Sequence, residues 1–216
     1  SAPRNGSKWV VAWTDNNNGK LYGRSIHING DHQQGAFGTT AELVSNAAIS
    51  YISTAPESQS TSGVYGLIAW VTGTTLRCQA FDVNYSSGNT SLVGSAMEIR
   101  TSGVNNTYSS LKVARSIKSS TDAEWLHAVV YYRNSDDKGY VKLVKTRTAA
   151  EVINGETSGS SHEFVGDGEP YYLDAAWGSE AVGAETLFVT YMPNESTDSN
   201  YRKGLLTTAS ATGFTN

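Results

Sequence analysis

A short run of β-branched and aromatic residues returns four times along this 216-residue chain. The copies are Val10-Val11-Ala12-Trp13, Leu67-Ile68-Ala69-Trp70, Val129-Val130-Tyr131-Tyr132 and Phe188-Val189-Thr190-Tyr191, and their starts lie 57, 62 and 59 residues apart. Runs of this composition read as strands buried on both faces. A polar turn follows each: Asp15 to Gly19, Thr72-Gly73-Thr74, Asn134 to Gly139 and Asn194 to Asp198. Such residues tolerate the backbone of a hairpin. Beyond each turn, starting from Leu21, Leu76, Val141 and Tyr201, polar residues tend to alternate with apolar ones, as in a strand with one wetter face. Two further strands recur, one at Glu42-Leu43, Glu98-Ile99 and Glu163-Phe164, the other at Ile49, Leu111 and Leu173. The unit is therefore four strands in about 60 residues.

Antiparallel four-strand units in series, with no amphipathic helix pattern between them, predict an all-β fold: a β-propeller of about four four-stranded blades. A β-sandwich is the second reading, since short evenly spaced strands suit it too. The 21 Gly and 4 Pro place breaks between strands and leave the strands nearly free of proline. The blades are expected at about 1–46, 47–104, 105–168 and 169–216. In this frame the strand of Ile49 has no predecessor after Ser1, and the strand of Glu163 has no successor before Asn216. The units then carry three, four, four and three strands, 14 in all. A ring removes its sheet edges only by closing. The expectation is thus that a further segment or chain completes the propeller, rather than that two reduced blades meet in a small ring.

Charged residues make up 17% and the net charge is −4, with no Lys/Arg run, which argues against nucleic acid as a partner. No apolar stretch is long enough for a transmembrane segment. Cys78 is the single cysteine, so no intrachain disulfide or cysteine metal site can form, and its alternating surroundings predict a packed structural thiol. Sequons, Asn84 and Asn89 among them, carry little information in a chain this rich in Ser and Thr. A start at Ser1 without a signal-like segment fits a processed or excised chain.

The stretch Trp9 to Asp15, with Gly19-Lys20-Leu21-Tyr22-Gly23-Arg24 and Ile28-Asn29-Gly30, resembles the repeats of large secreted bacterial propellers found in adhesins, biofilm-matrix proteins and lectin-like modules. The resemblance covers most of the chain and rests on structural positions, so it implies a secreted, extracellular propeller without naming a ligand. The aspartate box of sialidase propellers and the Trp-Asp dipeptide of WD40 blades are both missing.

Two turns partly resemble oxygen-rich calcium loops, Asp15-x-Asn17-x-Gly19 and Asn134-x-Asp136-x-Lys138-Gly139. Calcium takes about six to eight oxygen ligands. The first loop lacks a third acidic or amide ligand before its Gly and the second puts Lys138 there, so calcium is not favoured and no metal or other cofactor is expected. His127, Tyr131 and Arg133 share one side of an alternating strand. That set contains the residue types of a propeller polysaccharide lyase, a base for the α-proton and a cation for the uronate. Trp13, Trp70, Tyr132 and Tyr191 recur in every unit and read as packing. Positions that break the repeat are better ligand candidates: Lys112 and Asp174 replace Ser50 and, on an innermost strand, would face the central channel from neighbouring blades as an ion pair or as a ligand site, and Trp177 has no aromatic counterpart at Ser53 or Arg115. The sequence thus points to a non-catalytic extracellular binding or adhesion module, with a glycan or cell-surface ligand at Lys112, Asp174, Trp177, His127 and Arg133. The alternative is a glycan-cleaving propeller such as a polysaccharide lyase.

Overall fold

The computed structural model describes residues 7–15, 17–28, 34–45, 49–59, 63–84, 87–104, 111–115, 124–147, 152–153, 162–163, 170–178, 185–193, 203–210 and 213–215. Every regular element among them is a strand. The strands form separate antiparallel sheets that follow one another along the chain. Sheet 1 contains β1 (Ser7–Asp15), β2 (Lys20–Ile28), β3 (Gln34–Phe37) and β4 (Ala41–Val44), sheet 2 β5 (Ile49–Gln59), β6 (Gly63–Thr72), β7 (Thr75–Asn84) and β8 (Thr90–Arg100). Sheet 3 contains β9 (Leu111–Arg115), β10 (Glu124–Arg133), β11 (Lys138–Arg147), β12 (Val152–Ile153) and β13 (His162–Glu163). Sheet 4 contains β14 (Pro170–Trp177), β15 (Glu185–Pro193), β16 (Lys203–Ser210) and β17 (Gly213–Thr215).

In sheets 1 and 3 the outermost row is broken: β3 and β4 both pair with β2, and β12 and β13 both pair with β11. Sheet 1 thus has three rows of strand and the other sheets four, one row more than the expected total. The extra row is β17, which pairs Thr215 with Thr208 at the far end of β16, where β3 and β12 sit on their own neighbours. Three residues are too few for a period-two pattern to show in sequence. The turn at Asn194 to Asp198 and the residues Phe164 and Tyr201 lie outside the described residues.

Packing between sheets corrects the alignment of the repeats. Sheets 1 and 2 enclose Val10, Ala12 and Leu21 against Ile68, Trp70 and Phe81. Sheets 2 and 3 enclose Leu67, Ala69 and Cys78 against Val129, Tyr131 and Val144. Sheets 3 and 4 enclose Val130, Tyr132 and Leu143 against Leu187, Val189 and Tyr191. Trp70, Tyr131 and Tyr191 therefore face the preceding sheet, and the counterpart of Trp70 is Tyr131 rather than Tyr132. Cross-strand partners agree: Trp13 lies opposite Tyr22, and Tyr131 opposite Tyr140. The two adjacent tyrosines hid a one-residue slip, which exchanges the faces of a strand. On the first strands, Leu111 lies opposite Tyr131 and Ile52 opposite Trp70. Ile52, not Ile49, is the true counterpart of Leu111, and the position matching Lys112 and Asp174 is Ser53.

Strands β6 and β10 are buried on both faces, as their composition predicts, but β1 and β15 are not. Val11 is 45% exposed and Phe188 46%. Among the described residues each packs in a core cluster on one side only, and no core cluster joins sheet 4 to sheet 1.

The recurring Glu of the outer row has a common use in the first three sheets. Glu42 pairs with Lys20 at 2.8 Å, Glu98 with Arg77 at 2.6 Å and Glu163 with Lys138 at 2.8 Å. These exposed pairs fix the register of the outer strand more than they add stability. The Glu42 carboxylate, through its hydrogen bond and then its charge, holds the Lys20 ammonium above the ordinary lysine value. Sheets 1 and 2 are also locked by backbone contact. The Ser25 hydroxyl donates to the Gly88 carbonyl, and a Cβ at Gly38, whose own carbonyl accepts from Arg24 Nε within sheet 1 at 2.8 Å, would run into the Gly88 oxygen. Only glycine allows that approach.

Candidate functional site

Strand β14 leaves its regular path at the start of sheet 4. Tyr171 pairs with Met192 and Asp174 with Thr190, so one extra residue is accommodated between them. A β-bulge of this kind bends the strand and re-aims a side chain. Tyr172 lies in the bulge at φ 50° and is 51% exposed. A bulky non-glycine residue in the left-handed region costs on the order of 1–3 kcal/mol, and such strain gathers where it serves a purpose.

Two residues further on, Asp174 forms an ion pair with Lys112 of β9 at 2.8 Å, with side chains 57% and 38% exposed. Asp174 Oδ1 also accepts a bond from the Ala175 amide at 2.9 Å. An exposed tyrosine, a carboxylate and an ammonium therefore lie along the first strands of two adjacent sheets. The carboxylate can accept hydrogen bonds from hydroxyls, the ammonium can donate them, and the ring offers an apolar face.

The other sequence candidates fall elsewhere. Trp177 is buried in the core between sheets 3 and 4, where its Nε1 donates to the Ala114 carbonyl at 3.1 Å. The ring thus serves packing and a bond between sheets 3 and 4. His127 is fully buried on the side of β10 that faces sheet 2, with Tyr131 beside it also buried. Arg133 lies over the Tyr140 ring at 4.7 Å and binds both oxygens of Asp136, donating from Nε to Oδ1 at 2.8 Å and pairing through its other nitrogen with Oδ2. The structure thus brings Lys112 and Asp174 together and leaves His127, Arg133 and Trp177 in packed surroundings. Tyr172 escaped the sequence reading because the left-handed position carries no Gly or Asn. Only the pairing reveals it: the eight residues from Pro170 to Trp177 lie against the seven from Leu187 to Pro193.

Both calcium-like turns use their oxygens internally. Asp15 accepts from the Asn17 amide and from Asn18 Nδ2, each at 2.9 Å, which builds the turn between β1 and β2. In the other turn the Tyr140 hydroxyl donates to Asp136 at 2.6 Å and the Tyr132 hydroxyl to Asp137 at 2.8 Å. Asp137 adopts φ 56°, which closes the hairpin. Among the described residues no group of three His, Cys, Asp or Glu side chains is arranged to hold a metal ion. Cys78 is buried, and desolvation pushes its thiol pKa far above the ordinary value, as a structural thiol requires.

One open hollow of about 390 Å³ lies on the outer side of sheet 1, lined by Trp13, Thr14, Asp15, Tyr22 and Thr40. Trp13 and Tyr22 stack there with ring centroids 5.9 Å apart. The equivalent stack of Tyr131 and Tyr140, at 5.7 Å, packs against sheet 2. The hollow therefore occupies the place that a preceding sheet fills elsewhere in the molecule. No helix among the described residues is long and apolar enough to cross a membrane. Compared with known families and curated sequences, the chain matches no family model and no curated protein.

Proposed function

We propose that this protein is a non-catalytic, secreted binding module of propeller architecture that holds a carbohydrate at the first strands of sheets 3 and 4. Three features support the architecture: antiparallel sheets in series, face-to-face packing of neighbours, and contact of the first strands in succession, β1 with β5, β5 with β9 and β9 with β14. Blades set around an axis would have these relations. The observation that carries the ligand reading is Tyr172, exposed at φ 50° two residues from the Lys112 and Asp174 pair. A pyranose stacks an apolar face on an aromatic ring and places its hydroxyls against charged acceptors and donors.

The experiment is a glycan array followed by calorimetric titration of the best hit, with acidic polysaccharides assayed in parallel for cleavage. Tyr172→Ala and Asp174→Asn are each expected to weaken binding at least about tenfold, about 1.4 kcal/mol. Binding that both variants leave intact would remove the site. Cleavage abolished by His127→Ala would replace the module with a lyase.

A further inference from the structure

The three interfaces between sheets follow one rule. Each joins the side of a sheet that carries Val10 and Ala12, Leu67 and Ala69, or Val130 and Tyr132 to the side of the next sheet that carries Trp70, Tyr131 or Tyr191. Every interior sheet thus has a forward side and a rear side. Sheet 1 has its rear side open and sheet 4 its forward side. The open rear side bears Val11 at 45% exposure and Phe37 at 47%, with Arg24 over the Phe37 ring at 4.4 Å and the Trp13–Tyr22 stack alongside. The open forward side bears Phe188 at 46% exposure beside exposed Ala176.

Val11, Trp13 and Phe37 give the rear side of sheet 1 an apolar centre beside Arg24, Phe188 and Ala176 give the forward side of sheet 4 one beside Thr190 and Asp174, and each side is of the type that the other accepts. We propose that the protein associates with a second copy of itself head to tail, the forward side of sheet 4 in one chain packing on the rear side of sheet 1 in the next. The new interface continues the series of three already inside the chain, so it needs no surface of another kind. A contact between two rear sides or two forward sides would pair surfaces that are nowhere paired in the molecule. Head-to-tail contacts are heterologous: they close into a ring or run on as an array, according to the rotation per copy. Binding at Tyr172, Asp174 and Lys112 is compatible with this, because Lys112 stays 38% exposed in its side chain although its sheet is covered and Ala114 beside it is buried.

The test measures molar mass by sedimentation and by light scattering as concentration rises. Wild type is expected to gain mass with concentration, and Val11→Asp and Phe188→Asp are each expected to stay monomeric. An equal mixture of these two variants is expected to form a species of two chains and nothing larger, because each supplies the side the other has lost. Circular dichroism checks that both variants fold, and Phe37→Asp replaces Val11→Asp if that variant does not. A wild type that remains monomeric at high concentration, as it would if sheet 4 closed on sheet 1 within one chain, overturns the proposal. Self-association that survives Phe188→Asp, or a mixture that stays monomeric, overturns it as well.

Discussion

Val11 and Val129 hold the same position in two copies of the repeat, each two residues before an aromatic that stacks on a tyrosine across the hairpin. Val11 is 45% exposed and Val129 is fully buried. The stacks are nearly superimposable in kind, at 5.9 Å and 23° for Trp13 with Tyr22 and 5.7 Å and 24° for Tyr131 with Tyr140. The local sequence therefore makes the same strand pair in both places, and the difference in burial comes from the sheet that lies in front of one and not of the other. An exposed aromatic platform is usually read as a ligand site. Here the repeat shows that the same platform is a packing surface wherever a neighbour is present.

Substituting the two valines alike separates these roles most sharply. Val129→Asp places an unpaired carboxylate in the core between sheets 2 and 3 and is expected to prevent folding, seen as loss of the cooperative thermal transition. Val11→Asp in dilute protein is expected to keep that transition within a few degrees of wild type. If both variants unfold, sheet 1 is covered in the isolated chain and the comparison fails.

Smaller effects sharpen the picture at the joints between sheets. Gly38→Ala drives a methyl into the Gly88 carbonyl and is expected to cost about 1–3 kcal/mol. At about 2–4 °C per kcal/mol for a chain of this size, calorimetry would resolve it. Trp177→Phe removes the donor to the Ala114 carbonyl between sheets 3 and 4 and is expected to cost about 1 kcal/mol in urea unfolding. An unchanged midpoint would show that this bond does not help hold sheet 4 in place.

The least effect belongs to the exposed Lys20 and Glu42 pair. The folded state raises the Lys20 pKa, so the pair's contribution is present at neutral pH and disappears as pH rises through the lysine titration. Lys20→Gln should therefore differ from wild type slightly at pH 7 and not at all at pH 12, in melts of both proteins. A difference that grows with pH would reverse the sign of this argument.

Much of the fold was legible because the repeat supplies four readings of one pattern. Apolar strands, hairpin turns and the Glu of the outer row could each be checked against their copies. What stayed hidden was register. Tyr131 and Tyr132 stand side by side in the third copy, and composition cannot say which of two adjacent aromatics faces the preceding sheet. Ile49 matched Leu111 in type, whereas strand pairing selects Ile52. The Lys112 and Asp174 pair was legible as a break in the repeat. Tyr172 was not, because a bulge is a relation between two strands and leaves no mark on either sequence alone. Trp177 looked like a ligand-binding residue for want of a counterpart and His127 for sharing a strand side with Tyr131 and Arg133, but a side chain unique to one repeat can equally fill a gap unique to one interface.

Equivalent aromatics differ only in whether a sheet covers them, and truncating each in dilute protein measures that difference. Tyr131→Ala removes a ring buried between two sheets and is expected to lower the unfolding free energy by about 3–5 kcal/mol. Trp13→Ala removes the larger ring from the open side of sheet 1, loses little more than its stack on Tyr22, and is expected to cost about 1 kcal/mol. Equal costs for the two substitutions, measured by urea unfolding at the same low concentration, would mean that the rear side of sheet 1 is as covered as that of sheet 3.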